Sequence, residues 1–328
     1  MITEPVARRQ LGKSRLRITE LAFGGAPIGN LFTAVDDAAA AETIDAAWTG
    51  GIRTFDTAPH YGLGLSERRL GAALARRPRS EYVISTKVGR LLEDAPLGHD
   101  PEGFAVAARA RRVFDFSADG VRRSLEGSLD RLGLDRVDIA LIHDPDDHGE
   151  QALREAYPAL EQLRAEGCVQ AIGVGMNQTT MLNRFVTDTD VDVVLVAGRY
   201  SLLDQSAAVS LLPTALERGV GVIVGGVFNS GLLAAPAAGA TYDYKAAPDA
   251  LIARAQDLAA LCARFGVPLR AAAARFPLRH SAVASVLIGA RSAAEITDAI
   301  DLRVTEIPAE LWTALAESAD VTAGEGTA

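Results

Sequence analysis

Cysteine is almost missing from this chain, with only Cys168 and Cys262 in 328 residues. Two thiols build no disulfide framework, and a chain of this length buries enough surface to need no staples. Both lie in apolar stretches and read as small buried hydrophobes. No cluster of Cys and His has metal-ligand spacing, so no metal is expected. Positive charge is also short: 33 Lys and Arg stand against 42 Asp and Glu, a net charge of −9. That balance disfavours a nucleic-acid partner or an anionic membrane surface. Long apolar runs are missing too. A run such as Val191 to Ala197 is far too short to span a bilayer. Met1 to Gln10 lacks the apolar core of a signal peptide. The expectation is a soluble, cytoplasmic protein acting on a small molecule. There is no linker, low-complexity segment or short-period repeat, so residues 1–328 read as one domain, with a frayed tail from Thr322 to Ala328.

What is present is alternation. Short apolar runs occur at Leu21–Gly25, Ile52–Phe55, Tyr82–Thr86, Val137–Ile142, Val169–Val174, Val191–Val196, Val220–Val224 and Ser285–Ile288. Most are continuous, as in parallel strands buried on both faces. Amphipathic segments lie between them. Val121, Leu125, Leu129 and Leu132 form one stripe, opened by Ser117 as a cap and closed by Gly133. Leu251, Ala255, Leu258, Cys262 and Phe265 form another, between Pro248 and Gly266. Glu150 to Glu166 is helical in pattern, and Pro158 should restart or kink it. Eight strand–helix units predict a (β/α)8 barrel. The competing doubly wound sheet wants a glycine-rich turn leading straight into a helix. Phe23-Gly-Gly-Ala-Pro27 leads instead into a loop. From Val88 to Phe116 a long loop separates the third strand from its helix, and it should overhang the mouth of the barrel.

Barrel chemistry sits where strands end. Asp56 ends the second strand, Tyr61 follows five residues later, Lys87 ends the third strand and His143 the fourth. Each has an ordinary alternative. Asp56 could cap a turn, Lys87 could extend its charge to the rim, His143 could be a satisfied half-buried histidine, and Tyr61 a packing residue with a wet tip. Converging on one mouth, they make chemical sense as a set. Lysine favours the tyrosine phenolate and lowers its pKa, aspartate holds the lysine charged, and histidine binds a substrate oxygen. Such a set suits carbonyl–alcohol interconversion.

Asp56-Thr-Ala-Pro-His-Tyr61-Gly62, Ser85-Thr-Lys87-Val-Gly89 and Leu141-Ile-His143-Asp144 resemble motifs of the aldo-keto reductases. Leu11-Gly-Lys-Ser14 and Ile172-Gly-Val-Gly-Met-Asn177 are similar to that family too, and the resemblance runs from about Arg9 to about Arg303. It implies a catalytic tetrad of Asp56, Tyr61, Lys87 and His143, with Tyr61 as acid/base and hydride moving to or from a nicotinamide cofactor. Asn177 would hold the nicotinamide carboxamide. The resemblance also assigns Gly25, Tyr200 and Gly289 to the cofactor, with Gly226, Phe228, Asn229 and Gly231 following its pyrophosphate. Two positions depart from the family: Ala197 replaces a glutamine at the carboxamide, and Gly225 replaces a tyrosine that stacks on the nicotinamide.

Ala197-Gly-Arg-Tyr-Ser-Leu-Leu-Asp204 and Val227-Phe-Asn-Ser-Gly231 resemble a bacterial subgroup that oxidises aldoses or pyridoxal as cyclic hemiacetals. His60, Asp144 and Arg199 are candidate substrate contacts, each equally able to be structural. The main rival is a general NADPH-dependent carbonyl reductase. A cofactor-binding regulatory subunit and a metal-dependent hydrolase fit less well. Glu295 stands where NADPH-preferring relatives place an arginine, and Ala299 where an asparagine is common, which favours NAD over NADP. Arg291 pulls the other way, and a solvated role for Glu295 stays open.

Overall fold

The computed structural model describes residues 6–325, and side chains only as far as 318. Among the described residues, eight parallel strands close into a barrel. They are β1 (Leu21–Gly24), β2 (Thr54–Asp56), β3 (Val83–Val88), β4 (Ile139–His143), β5 (Ala171–Met176), β6 (Val193–Ala197), β7 (Gly221–Gly225) and β8 (Val283–Gly289). Each pairs with the next in sequence, and β8 closes on β1. All eight apolar runs of the sequence therefore became strands. The closed order rules out the open doubly wound sheet.

Side chains alternate across a strand with period two, so each strand sends one set inward and one toward the helices. The interior layer includes Val83, Ile139, Leu141, Ala171, Val193, Leu195 and Ile223. The outer layer holds Phe23, Phe55, Ile84, Val88, Ala140 and Ile142 against the helices. Below the interior layer, the antiparallel pair Arg8–Gln10 and Arg17–Thr19 brings Leu11, Leu16 and Ile18 under the strand starts and plugs that end. The mouth lies at the opposite end.

The helices start and stop where the sequence indicates. Ser117 caps the helix Ala118–Leu132 by accepting from the Gly120 amide, and Gly133 closes it with φ of 64°. The helix Asp249–Arg264 runs between Pro248 and Gly266. Pro158 has no amide hydrogen to donate, and its ring would collide with the carbonyl one turn back. The chain widens into a π-turn over Ala152–Ala156 and restarts as the helix Tyr157–Ala165.

Two expectations change. The connection after β3 is not a plain loop: Arg90–His99 pairs with Ala107–Phe114 as an antiparallel hairpin. A bridge from Phe104 to Leu31 ties it to the loop after β1. Cys168 is exposed, whereas Cys262 is buried. The left-handed turn at Gly167, φ 79°, lifts Cys168 out of the apolar run before β5. The last helix, Ala309–Glu325, takes in the start of the tail expected to fray, and its final three residues lie outside those described. No described helix is long and apolar enough to cross a membrane.

Candidate active site

Period-two alternation decides what stands in the mouth. On β3 it puts Val83, Ser85 and Lys87 on the inner face. On β4 it puts Ile139, Leu141 and His143 there, and on β2 Thr54 and Asp56. Three polar side chains from three adjacent strands thus meet at the C-terminal rim. Tyr61 arrives from the turn after β2. Gly62 in that turn has φ of 61°, and a Cβ there would lie 2.1 Å from the Gly29 carbonyl oxygen. Only glycine allows the backbone to pack so closely and hold Tyr61 over the barrel.

The centre of the site is the Lys87 ammonium, whose side chain is 2% exposed. It donates to Asp56 Oδ2 at 2.6 Å, to the Thr57 carbonyl at 3.0 Å and to the Tyr61 hydroxyl at 3.0 Å. An ammonium has three N–H donors, so all are used. Asp56 also accepts from the Ser85 hydroxyl. Burial alone would lower the Lys87 pKa, but Asp56 and Tyr61 outweigh it and hold the group charged. Gly175 lies opposite the lysine stem, where a Cβ would be in ordinary contact with Lys87 Cε at 3.7 Å.

Tyr61 behaves differently from expectation. Lys87 does favour its phenolate, but burial is the larger effect and pushes the phenol up to about 12. In the free protein the lysine therefore offsets the cost of desolvation without reversing it. His143 is held neutral, well below its ordinary pKa, by burial and by the Arg90 and Lys87 cations. Its ring lies edge-on to Tyr61, with centroids 5.9 Å apart.

A second polar group borders the first. Arg90, the first residue of the hairpin, bonds His60 Nδ1 at 3.0 Å and Asp144 Oδ2 at 2.5 Å. A guanidinium only donates, so Nδ1 is the acceptor and the His60 proton sits on Nε2. Burial and the neighbouring Arg90 and Arg112 hold His60 neutral, at about 2. Arg112 also bonds the His60 carbonyl at 2.8 Å while paired with the buried carboxylate of Asp100. Of the candidate substrate contacts, His60 and Asp144 therefore stand at the site. Arg199 instead pairs with Asp243 at 2.7 Å and Asp204 at 3.3 Å.

Along the rim runs a cavity of about 760 Å³. Asn177, Gly226, Phe228 and Asn229 line it on one side, with Gly231 beside them, and Gly289, Arg291 and Glu295 line it further along. Gly25 and Tyr200 do not line it. Gly25 packs on Ser66 and Asp56, and Tyr200 on Phe276 and His280. Glu295 accepts from the Arg291 amide at 2.8 Å and from its guanidinium at 2.7 Å. It stands in the first turn of the helix Ala293–Leu302, where the Ser292 hydroxyl caps the helix by accepting from the Glu295 amide. The length of the cavity lining, with glycine backbone exposed along it at Gly226 and Gly289, fits an extended ligand.

Sequence reading assigned no role at the site to Ser85, the Thr57 carbonyl, Arg90 or Phe104. Ser85 was discoverable, because it lies two residues before Lys87 on the same face. Arg90 follows β3 by two residues, in the segment expected over the mouth, whereas Phe104 gave no local signal: the folded hairpin sets its ring 5.2 Å from that of His60 and 6.2 Å from that of Tyr61.

Chemically, a phenol at about 12, a fixed cation beside it and a neutral imidazole can move one proton to or from a substrate oxygen. Removing Asp56 would leave a buried, underpaired cation, an error that typically costs about 3–5 kcal/mol. Asp56→Asn should lower stability in urea unfolding by about that much, and adding Lys87→Met should recover part of the loss. Equal stability of Asp56→Asn and the parent chain would contradict the ion pair.

The Aldo/keto reductase family model matches residues 20–320. The chain is 47% identical over 324 residues to a D-threo-aldose 1-dehydrogenase from Pseudomonas sp, covering 96% of this chain and 97% of that one. It is 40% identical over 329 residues to a pyridoxal 4-dehydrogenase from Microbacterium luteolum, covering 94% and 96%. An aldo-keto reductase from Bacillus halodurans, solved in its holo form, superposes with a TM-score of 0.76 at 25% identity over 95% of this chain and 96% of that one. The chain belongs to the aldo/keto reductase family and is an oxidoreductase that uses a nicotinamide cofactor.

Proposed function

We propose that the protein oxidises a cyclic hemiacetal, an aldose or a pyridoxal-like compound, to a lactone, with NAD as preferred acceptor. The observation that carries this reading is the Lys87 ammonium bonded to both Asp56 and the Tyr61 hydroxyl beside the Arg90–His60–Asp144 group. The names of the two bacterial relatives support the substrate class.

The nicotinamide, when bound, supplies the two-electron acceptor for the hydride leaving the anomeric carbon. The chain's task is the proton. Tyr61 takes it from the anomeric hydroxyl as the carbon–oxygen double bond forms, and Lys87 keeps the resulting charge pattern in place. Neutral His143 holds the same oxygen, and Asp56 keeps Lys87 charged. The Arg90–His60–Asp144 group offers a donor from His60 Nε2 and an acceptor from Asp144, a combination suited to ring hydroxyls. Oxidation needs the phenolate. Because burial puts Tyr61 at about 12, the phenolate fraction grows across the whole neutral and alkaline range. Oxidation of a panel of fucose, galactose, arabinose and pyridoxal should yield a lactone from at least one, at a rate that climbs with pH and shows no plateau near neutrality. Product analysis without any lactone would overturn the reading.

NAD preference rests on Arg291 and Glu295. Two cations line that end of the cavity, and each is already paired: Glu295 occupies the Arg291 guanidinium and amide, and Asp298 takes the Arg270 guanidinium at 2.5 Å. A phosphate there would have to displace a carboxylate or lie beside it. Two unit charges about 4 Å apart repel by roughly 1 kcal/mol even in bulk water. A ribose hydroxyl can share Glu295 as an acceptor. The ratio of kcat/KM for NAD to that for NADP should exceed about ten, and Glu295→Arg should shift it toward NADP. A parent enzyme that prefers NADP would refute this part.

A further inference from the structure

The hairpin after β3 is largely exposed, yet it takes one pair of opposite charges out of water. The Arg112 side chain is 7% exposed and its partner Asp100 not at all. Residues that face each other across an antiparallel pair lie on the same side of the ribbon. Arg90 faces Phe114 and Leu92 faces Arg112, so both arginines stand on one side. Arg111 and Glu93 stand on the other and pair in water. The side with Arg90 and Arg112 meets a single residue, His60. Arg90 bonds its ring, and Arg112 bonds its carbonyl through Nη2 at 2.8 Å and Nε at 3.3 Å.

The rest of the guanidinium is fixed by Asp100, which accepts from Nη1 at 3.0 Å and from Nη2 at 2.7 Å. A planar fork suits this double contact, and a lysine could not reproduce it. Apolar residues of similar volume often hold a fold as well as a buried ion pair does. Anchoring the hairpin therefore does not require these charges. What apolar residues cannot do is donate to a peptide oxygen. The oxygen held here belongs to the peptide that joins His60 to Tyr61, and rotation of that peptide would swing the Tyr61 ring away from Lys87. The far side of the turn is closed by Gly29, where a Cβ would lie 2.8 Å from the Tyr61 carbonyl carbon. The next carbonyl, that of Asn30, accepts from the Ala105 amide of the hairpin at 2.8 Å. Two segments bonded to each other thus grip the turn that carries Tyr61.

We propose that Arg112, oriented by Asp100, is a positioning residue for the reaction: by clamping the His60 carbonyl it keeps the Tyr61 hydroxyl on the Lys87 ammonium. This rests on the reading that Tyr61 carries the proton.

Steady-state kinetics on the full chain, with NAD and the best hemiacetal of the panel, test the clamp. Asp100→Leu combined with Arg112→Met removes both charges and leaves neither unpaired. It should lower kcat about 10- to 100-fold, the scale of a small misplacement, and leave KM for the hemiacetal within about twofold. Introduced into Tyr61→Phe, the same two changes should lower the residual kcat by less than about twofold, because no hydroxyl is left to place. Arg112→Lys keeps the charge but not the fork and should lose about three- to tenfold in kcat, the size of one hydrogen bond. It decides the matter alone if the double variant does not fold. An unchanged kcat in either folded variant would overturn the proposal. So would equal losses with and without the Tyr61 hydroxyl, which would mean a general structural role. A raised KM at constant kcat would assign the clamp to the His60 ring and overturn it too. Near-normal turnover by Tyr61→Phe itself would instead bring down the functional reading beneath it.

Discussion

A lysine ammonium buried to 2% inside a barrel is the constraint on which the site depends. Taking a cation out of water costs several kcal/mol unless each of its donors meets an acceptor. Here the three acceptors come from three different places: the end of β2, the peptide after it, and the turn that follows. Satisfying Lys87 therefore fixes the register of β2 against β3 and the path of the chain to Tyr61. The electrostatics and the fold are one problem at this point.

Burial works both for and against the chemistry. It strengthens the Lys87–Asp56 pair by excluding water, but it also makes the Tyr61 phenolate expensive, raising the group to about 12 although a cation is in contact with it. The same burial keeps His60 and His143 neutral, so they act as directional hydrogen-bonding groups and add no further positive charge. Arg90 sets that direction, because its donation to His60 Nδ1 leaves the other ring nitrogen as the donor. The hairpin that leaves the barrel rim directly after β3 thus determines the polarity of the wall beside Tyr61.

Much of this was legible in the sequence, and the reasons are particular. Continuous apolar runs at regular spacing revealed all the barrel strands, because parallel strands are buried on both faces. Ser117 and Gly133 marked a helix through cap chemistry that is local by nature. Asp56, Tyr61, Lys87 and His143 could be grouped because each stands at or near a strand end, where the fold forces convergence. What was not legible depends on contacts distant in sequence. The strands after β3 are short of apolar alternation, so Arg90–His99 and Ala107–Phe114 read as loop, and no role could be assigned to Arg90 or Phe104. The balance between burial and the lysine at Tyr61 also lies outside local pattern, because it depends on how completely the fold excludes water. Gly25 and Tyr200 share motifs with cofactor-binding segments but pack within the protein and not on the cavity.

The central claim is that the Tyr61 oxygen carries the proton while the rest of the site merely holds it there. Tyr61→Phe keeps the ring and deletes that oxygen, so it separates the two roles. The account predicts a fall in kcat of about 10²- to 10⁴-fold for the best hemiacetal substrate, with the dissociation constant for NAD unchanged. Near-normal turnover by Tyr61→Phe would contradict it.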